Sequence, residues 1–460
     1  DVPYLLEEGE VIEKNPDKAR LVNATKLSGR TDKGLGIGIL NAVTANTYAR
    51  IKKADGTYRE LITEPLTNFN IVVLDQQLKH NSNVSLINTN VTREGKARDG
   101  NVTALRGAFQ DKKNTFQISG AGNLTHITQW SQTKNVKDGY LYFVGFDKIK
   151  GVSQYGISYE GAKKNFDKND LGYNFYSDYT SLNAYWTVQA FNPFWKYFKQ
   201  GNITPFINRS GRLSLNNKMT DITLGMNFFL LFNNNWSIYS EFGTALADAF
   251  DYYEPRVEGR FCRVPGSHYG SINWTTNYNK KLAFDFGGRF NFIDEWNYAS
   301  AGYYVNPIIR VSDKMSIRIE HYLDVYENDR GFIDYNTDEN SIFYGGRDII
   351  TITNAITSRY LFKNDMSLSL TGRHYWSEGK YKDYFQLMGD GELIPREHNE
   401  LTDYDFNSNY FTVDVVYNWQ FAPGSSFIAT FKNIILLDDN QTHYDYFRNF
   451  NRTLSSPQTN

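Results

Sequence analysis

The amino-acid sequence predicts an all-β protein, a large transmembrane up-and-down antiparallel β-barrel of about 20 strands. Three observations favour this fold. Long segments alternate apolar and polar residues with a period of two, and short polar turns alternate along the chain with much longer connections. Aromatic residues make up 16% of the 460 residues, and a barrel carries such rings on the outer wall that meets the lipid headgroups.

The period-two pattern is cleanest in two segments. Odd positions are apolar throughout residues 411–421, and even positions are apolar throughout residues 282–292 except at Gly288. Because successive side chains of a strand point to opposite faces, each segment has one apolar face and one wet face. A tilted strand needs about ten residues to cross a bilayer, whereas strands of soluble proteins average about five or six. A soluble propeller or sandwich, the competing interpretation, would use shorter strands or bury both faces.

Composition excludes several other classes of protein. The apolar runs, such as residues 228–232 and 434–437, are far shorter than the roughly 20 residues of a transmembrane helix. The net charge of -2 gives no reason to expect nucleic acid as a partner. The single cysteine, Cys262, excludes an internal disulfide and a thiolate metal cage.

The connections between predicted strands fall into two length classes. Tight turns are predicted near residues 31–34, 79–83, 111–114, 233–235, 279–281, 312–314, 363–365 and 422–425. Long connections are predicted at residues 46–66, 126–139, 165–179, 248–269, 326–347 and 378–409. In outer-membrane barrels the tight turns face the periplasm and the long loops face the outside.

This alternation divides the chain into three parts. We expect residues 1–18 to be an extracellular loop segment, residues 19–437 the transmembrane barrel, and residues 438–460 a second extracellular loop segment. Bacterial single-chain barrels have an even strand number and keep both termini in the periplasm. One further strand is therefore expected before the first residue and one after the last, which gives about 22 strands in the intact barrel.

Two stretches resemble a known outer-membrane family. They are residues 26–31 (KLSGRT) with 34–44 (GLGIGILNAVT), and residues 251–256 (DYYEPR) with the following Gly259 and Arg260. In that Bacteroidota-type family a carbohydrate-binding module of the family-9 type precedes a large barrel domain of unknown function. The resemblance implies an outer-membrane barrel over the whole chain. It carries no established catalytic residues, although members are sometimes labelled membrane-associated hydrolases. Neither the sugar-binding module nor a closing strand is found in these residues.

Motifs for catalysis or metal binding are missing from the sequence. No two of the seven histidines fall within four residues of each other, and there is no nucleophile elbow or glycine-rich phosphate loop. Asp167, Asn169 and Asp170 resemble a calcium loop, but its spacing and closing glutamate are missing. A solvated surface turn is the favoured interpretation there. We therefore predict no catalytic residue, no cofactor and no metal.

Charged residues on the wet face of the predicted strands are candidates for lining the lumen. They are Glu241, Asp285, Arg289, Arg318, Glu320, Asp324 and Arg373. They either pair with one another in a wet lumen or form a constriction that sets ion or solute preference. Their mixed signs argue against a strong preference for either charge.

Aromatic and arginine residues in the long connections are candidates for recognition, because such residues anchor protein interfaces and stack on sugars. They are Tyr252, Tyr253, Arg256, Arg260, Trp376, Tyr381 and Tyr384. The alternative is that the long loops fold inward and plug the barrel.

The expected function is that of a porin-like channel, or of a scaffold in a cell-surface complex, in the outer membrane of a Gram-negative bacterium. Outer-membrane lipids and lipopolysaccharide are the expected partners, and further outer-membrane or lipoprotein subunits and glycans are candidates. Two alternatives stay open. One is an outer-membrane hydrolase acting on glycans, lipids or peptides. The other is a TonB-type gated importer barrel that lacks its plug.

Overall fold

A computed structural model describes residues 5–16, 18–130, 133–174, 176–397, 403–443 and 445–456. The protein is all-β, with one large antiparallel sheet of about 20 strands. The prediction of an all-β protein with about 20 antiparallel strands is thereby confirmed.

The strands follow one another closely along the chain. In order they are β1 Val11–Lys14, β2 Leu21–Arg30, β3 Leu35–Thr44, β4 Thr47–Lys52, β5 Tyr58–Glu64, β6 Thr67–Gln77, β7 Asn83–Arg93, β8 Asp99–Gln110, β9 Phe116–Trp130, β10 Lys134–Lys148, β11 Ser153–Ala162, β12 Tyr179–Ala190, β13 Phe198–Arg212, β14 Lys218–Phe232, β15 Ser237–Ala245, β16 Ala249–Asp251, β17 Cys262–Val264, β18 His268–Thr275, β19 Leu282–Ile293, β20 Tyr298–Ser312, β21 Met315–Asn336, β22 Ser341–Lys363, β23 Met366–Leu387, β24 Leu393–Pro395, β25 Phe406–Ala422 and β26 Ser425–Asp439. The described residues also form the α-helix α1, Tyr446–Ser455, and two short 3-10 helices, Leu213–Leu215 and Asp294–Trp296.

The chain divides into two compact units, Asp1–Trp186 with Asn208–Met219, and Thr187–Ile207 with Thr220–Asn460. In the first unit, β2, β3 and β6 to β11 pair antiparallel, each with the next. Beside them β1, β4 and β5 form a small sheet whose centre is Ala49 and Ile51. The strands β4 and β5 of this sheet lie within the predicted loop at 46–66, so that loop is itself mostly strand.

In the second unit β14, β15 and β18 to β23 pair in chain order, and β25 and β26 continue the sheet. The short β24 pairs with the end of β23, and β16 and β17 form a hairpin of their own. Neighbouring strands are joined mainly by short turns, which agrees with the predicted up-and-down order.

Each unit of the sheet has two chemically different faces. On one, here called the apolar face, large hydrophobic side chains stand exposed at in-register positions, among them Leu86 and Leu105 in the first unit and Ile319 and Ile356 in the second. The opposite face, here called the polar face, carries most of the charged strand residues. The alternation follows directly from the period of two.

In the first unit the apolar face ends in a band of amides. Asn41, Asn70, Asn90 and Asn101 are ladder partners in successive strands. The Asn41 amide donates to Asn70 at 2.8 Å, and that of Asn101 donates to Asn90 at 3.2 Å. Val72, Leu86 and Leu105 lie on the same face as these asparagines, because residues an even number apart in a strand share a face. The band therefore marks the level at which the side chains of this face change from apolar to polar.

Several predicted loop boundaries are wrong. The strands β21, β22 and β23 are 22, 23 and 22 residues long and run through most of residues 326–347 and the first part of 378–409. Residues 398–402 of the second connection lie outside the described part of the chain. Likewise β9 and β10 extend into the connection predicted at 126–139. The ladder hydrogen bonds depend on the backbone, so a strand continues where the alternation of its side chains has stopped.

The segment predicted as loop at 438–460 begins with the last residues of β26 and then contains α1. Residue 444 and residues 457–460 lie outside the described chain, as do 1–4 and 17 of the leading segment. The Asp445 side chain caps α1 by accepting from the backbone N–H groups of Phe447 and Arg448. Among the described residues, no helix has both the length and the apolar character needed to cross a membrane.

Candidate functional site

The seven charges predicted to line the lumen all lie on the polar face of the second unit, on strands β15, β19, β21 and β23. The structure brings most of them into ion pairs. Arg289 Nη2 lies 2.6 Å from Asp324 Oδ2, and Arg318 Nη1 lies 3.7 Å from Glu320 Oε1 and 4.0 Å from Asp285 Oδ2. The polar face is therefore largely charge-compensated.

Two of the predicted charges have partners outside that set. Arg373 Nη1 lies 2.9 Å from Asp414 Oδ2 on β25, an acid that the sequence reasoning did not single out. Glu241 accepts hydrogen bonds from the hydroxyls of Tyr239 at 3.2 Å and Tyr269 at 3.3 Å. Asp414 lies between the apolar-face positions Val413 and Val415 and therefore on the wet face, so the same periodicity could have identified it.

Four of the predicted recognition residues lie around the β16–β17 hairpin. Tyr253 is half exposed, whereas the Tyr252 ring packs 5.1 Å from that of Phe261. The Arg256 guanidinium lies 4.6 Å from the Phe332 ring centre, and Arg260 Nη2 donates to the Leu387 carbonyl at 2.9 Å. Tyr252, Arg256 and Arg260 are thus engaged within the protein.

The hairpin forms what we call the loop cluster with the ends of β22 and β23. Its buried centre consists of Cys262, Ile342, Tyr344, Phe385 and Leu387. Burial raises the pKa of the Cys262 thiol to about 12, so it stays protonated.

The guanidinium of Arg263, in the β16–β17 hairpin, contacts three connections between strands. Arg263 pairs with Asp248 at 2.8 Å and also with Glu295 and Glu392. Its backbone N–H donates to the Gly391 carbonyl at 2.8 Å. These contacts hold the long connections in one defined arrangement.

The other three predicted recognition residues belong to β23 and not to a loop. Trp376 is 5% exposed, and its Nε1 donates to Asn407 Oδ1 at 3.0 Å. The Tyr381 hydroxyl accepts from Arg347 Nη1 at 2.7 Å. Tyr384 lines a cavity of about 130 Å³. They lie in a strand because β23 continues to Leu387, where the sequence has lost its alternation.

Trp376 is buried because α1 covers it. Within this contact three amides form a closed ring: Asn407 donates to Asn449 at 3.0 Å, Asn449 to Asn409 at 2.6 Å, and Asn409 to Asn407 at 2.9 Å. The Tyr446 ring lies 5.8 Å from that of Trp376. The helix thus covers polar residues on the apolar face of β23 and β25.

In the first unit a connection lies over the polar face of the sheet. This segment, residues 163–178, is here called the covering loop; its residue 175 lies outside the described chain. Phe166 is 3% exposed and sits over Gly139, where a Cβ would come within 2.5 Å of the Asn165 carbonyl oxygen. The loop therefore packs on the backbone of β10 at a position that only glycine leaves open.

Two well-buried carboxylates, Asp170 and Asp178, anchor the covering loop, and a third, Asp167, pairs with Arg98 at 2.9 Å. Asp170 lies 2.8 Å from Arg93 Nη1 and 2.9 Å from Arg98 Nη2. Burial alone would raise the pKa of Asp170, but the hydrogen bonds from Arg98 and Arg93 outweigh it and lower the pKa. The segment is a surface turn in which Asn169 is exposed, as expected, but the Asp170 side chain is only 7% exposed and is not solvated.

At the other end of the loop, Asp178 accepts from the Ser214 backbone N–H at 2.7 Å and from its hydroxyl at 2.6 Å, and pairs with Arg212. Burial would raise the pKa of Asp178, and these hydrogen bonds outweigh that effect and lower it. Both anchors therefore stay ionised at neutral pH.

Between the covering loop and the sheet lies a cavity of about 300 Å³. Arg106, Lys168 and Glu160 bring charge to it, and Asn123 brings an amide that is 6% exposed. The Glu160 carboxylate accepts a hydrogen bond from the Tyr179 hydroxyl. Ile87, Val102, Ala104 and Leu141 supply an apolar wall.

The cavity was not predicted from the sequence, although one signal for it was present. Ile87, Val102 and Leu141 are apolar residues on the face that carries most of the charged strand residues, and they lie near one another in β7, β8 and β10. An apolar patch on the wet face predicts that something covers it.

No group of three or more His, Cys, Asp or Glu side chains suited to holding a metal ion occurs among the residues that the structure describes.

Comparison with known proteins gives two results. A search of curated proteins finds no match. The family described as Domain of unknown function (DUF5916) matches residues 3–460. Since this match spans nearly the whole sheet described above, the chain belongs to the DUF5916 family.

Proposed function

We propose that this protein is a transmembrane β-barrel of a Gram-negative outer membrane and works as a porin-like channel with a narrow, charge-lined passage. One observation carries the proposal. The sheet exposes large hydrophobic side chains on one face and holds compensated charges on the other. Closure of the sheet would direct the apolar face to lipid and enclose the charges around water.

The length of the apolar face fits an outer membrane. From Phe411 to Phe421 the apolar positions extend over ten residue steps. At about 3.3 Å per step and a tilt of about 40°, this is a height of about 25 Å, which equals the usual apolar band of such barrels. The amide band of the first unit would lie outside that band.

The passage in this proposal is restricted. The covering loop lies over the polar face of the first unit, and the charges of the second unit pair with one another. We therefore propose slow passage of small solutes with little preference for either ion sign. The family resemblance in the sequence supports a Bacteroidota-type outer membrane as the setting, with lipopolysaccharide as neighbour and a family-9-type carbohydrate-binding module as the usual companion domain.

A scaffold role in a surface complex is the second candidate, and the loop cluster favours it. Arg263 and its three carboxylates fix long connections that expose Tyr253, as a preorganised binding surface requires. No feature of the described residues favours the hydrolase or the TonB-type importer.

A matched pair of substitutions tests whether the apolar face meets lipid. Leu370 is 47% exposed on the apolar face of β23, and Thr371 is its neighbour on the polar face. An arginine that faces lipid near the bilayer midplane destabilises the inserted barrel by about 2–4 kcal/mol, so Leu370→Arg should block assembly into vesicles. The Thr371→Arg variant should assemble normally, because its arginine would face water. Assembly is read from heat-modifiable gel migration and from single-channel conductance in planar bilayers.

If both variants behave like the parent protein, or if the protein is monodisperse without any surfactant, the membrane proposal is wrong. If it assembles in vesicles but never conducts, the channel role is wrong and the scaffold role becomes the better one.

A further inference from the structure

We propose that the cavity beneath the covering loop binds a small sugar acid, a polyhydroxylated ligand with one carboxylate. This deepens the proposed function by naming a class of solute. It rests on that function for passage through the membrane, but the binding itself does not require a membrane.

The charge of the cavity favours an anion. Arg106 and Lys168 are cationic and Glu160 is anionic, so the lining has a net charge of +1. Glu160 already accepts a hydrogen bond from Tyr179. In the described chain neither Arg106 nor the Lys168 ammonium has an ion-pair or hydrogen-bond partner. Both cations are therefore available to a ligand carboxylate.

The amide of Asn123 points to a ligand independently of charge. The residue is 94% buried and lines the cavity, and its side-chain amide makes no hydrogen bond to any described residue. The buried amides of Asn407, Asn409 and Asn449 satisfy one another, as buried amides normally do. A ligand hydroxyl in the cavity can donate to the oxygen of this amide or accept from its nitrogen.

The remaining lining suits a sugar ring. Thr89 and Asn174 add polar groups that can meet hydroxyls, while Leu141 and Phe166 offer apolar surface to the C–H side of a ring. A volume of about 300 Å³ is at the lower end of the range for small-molecule sites, which fits a monosaccharide better than a longer glycan. The carboxylate distinguishes this ligand class from neutral sugars.

The test is isothermal titration calorimetry on the full chain in detergent, with D-glucuronate as probe and D-glucose as its uncharged counterpart. Glucuronate should bind at least tenfold more tightly than glucose. Arg106→Gln and Lys168→Gln should each weaken glucuronate binding at least tenfold and leave glucose binding almost unchanged. Lys112→Gln, in the β8–β9 turn outside the cavity lining, is the charge-matched control and should bind like the parent protein.

Asn123→Leu separates a binding role from a structural one. It should weaken glucuronate binding at least tenfold while the unfolding temperature stays the same or rises, because no hydrogen bond within the protein is lost. A lower unfolding temperature with unchanged affinity would make Asn123 structural and overturn its assignment.

The proposal is overturned if glucuronate does not bind at millimolar concentration, or if glucose and glucuronate bind equally. Conductance in bilayers without binding would refute this inference alone. Binding without conductance would refute the channel and leave the site intact.

Discussion

At the scale of single residues, glycines decide where the covering loop can lie. An alanine at 139 would place its Cβ 2.5 Å from the Asn165 carbonyl oxygen and still closer to the Phe166 backbone, which cannot move aside as a side chain could. At Gly100 a Cβ would meet the Asp170 carboxylate that anchors the same loop. Gly100 and Gly139 thus both leave room for the covering loop to pack on the sheet.

We predict that Gly139→Ala displaces the covering loop and lowers the free energy of unfolding by about 1–3 kcal/mol, the usual effect of overpacking. Limited trypsin digestion should then cut faster at Lys163, Lys164 and Lys168. Gly122→Ala is the matched control, since no described atom lies within 4 Å of its added Cβ. Equal digestion of both variants would contradict the packing described here.

The Asp170 anchor should make the covering loop sensitive to acid. Its pKa is lowered in the folded protein, so the carboxylate contributes its full stability above its ordinary pKa of 3.8 and loses it as the pH falls below that value. At pH 7, Asp170→Asn should loosen the loop, because the charged hydrogen bonds from Arg93 and Arg98 are lost at about 1.5–3 kcal/mol each. Arg98 keeps its pair with Asp167 at 2.9 Å, and Arg93 keeps its pair with Glu64 at 3.7 Å.

Hydrogen exchange of residues 163–174 measures the release of the loop. The parent protein should protect these amides at pH 7 and lose protection only below pH 3.8, whereas the Asp170→Asn variant should lack protection at both. Asp32→Asn, in the exposed β2–β3 turn, is the control. Acid release at the same pH in the parent and in Asp170→Asn would assign the effect to another group.

At the scale of secondary-structure elements, α1 is held by buried amides. We predict that Asn449→Leu frees the helix from the sheet, because Asn407 loses an acceptor and Asn409 a donor, at about 1–3 kcal/mol for each unsatisfied group. Hydrogen exchange over Tyr446–Ser455 should become faster. Asn451→Leu, at an exposed position of the same helix, should leave exchange unchanged. If both variants exchange alike, the amide ring does not hold α1.

Strands with clean alternation could be predicted almost to the residue. Residues 282–292 were expected to form a strand, and β19 spans Leu282–Ile293. The ends of β21 to β23 that contact the loop cluster could not be predicted. Their sequences no longer alternate between apolar and polar residues, because one face of the strands packs against the loop cluster. The helix left a weaker signal: Asp445 can cap, and Tyr446 and Phe450 are four residues apart on one face.

At the scale of the whole molecule, the paired charges of the polar face should control ion preference if the protein conducts. Arg289→Ala or Arg318→Ala leaves Asp324, or Asp285 and Glu320, without a counter-charge. We predict a shift of the reversal potential toward cations, measured in a KCl gradient. Lys314→Ala, in the β20–β21 turn, should have no effect. An unchanged potential in both arginine variants would remove these pairs from the conducting path.

The sequence alone determined the strand class, the approximate strand number, the up-and-down order and which residues share a face. All of these follow from the period of two and from turn residues that act on their immediate neighbours. For the same reason the seven charges could be assigned to one face, although not to their partners.

Only the tertiary structure decided where the connections lie. Asp170 and Arg93 are 77 residues apart, and Arg263 meets a carboxylate 129 residues away. Such contacts form because the sheet brings distant strands side by side, and no local pattern encodes which side chains then face each other. The cavity at Asn123, the covering loop and the docking of α1 all depend on contacts of this kind.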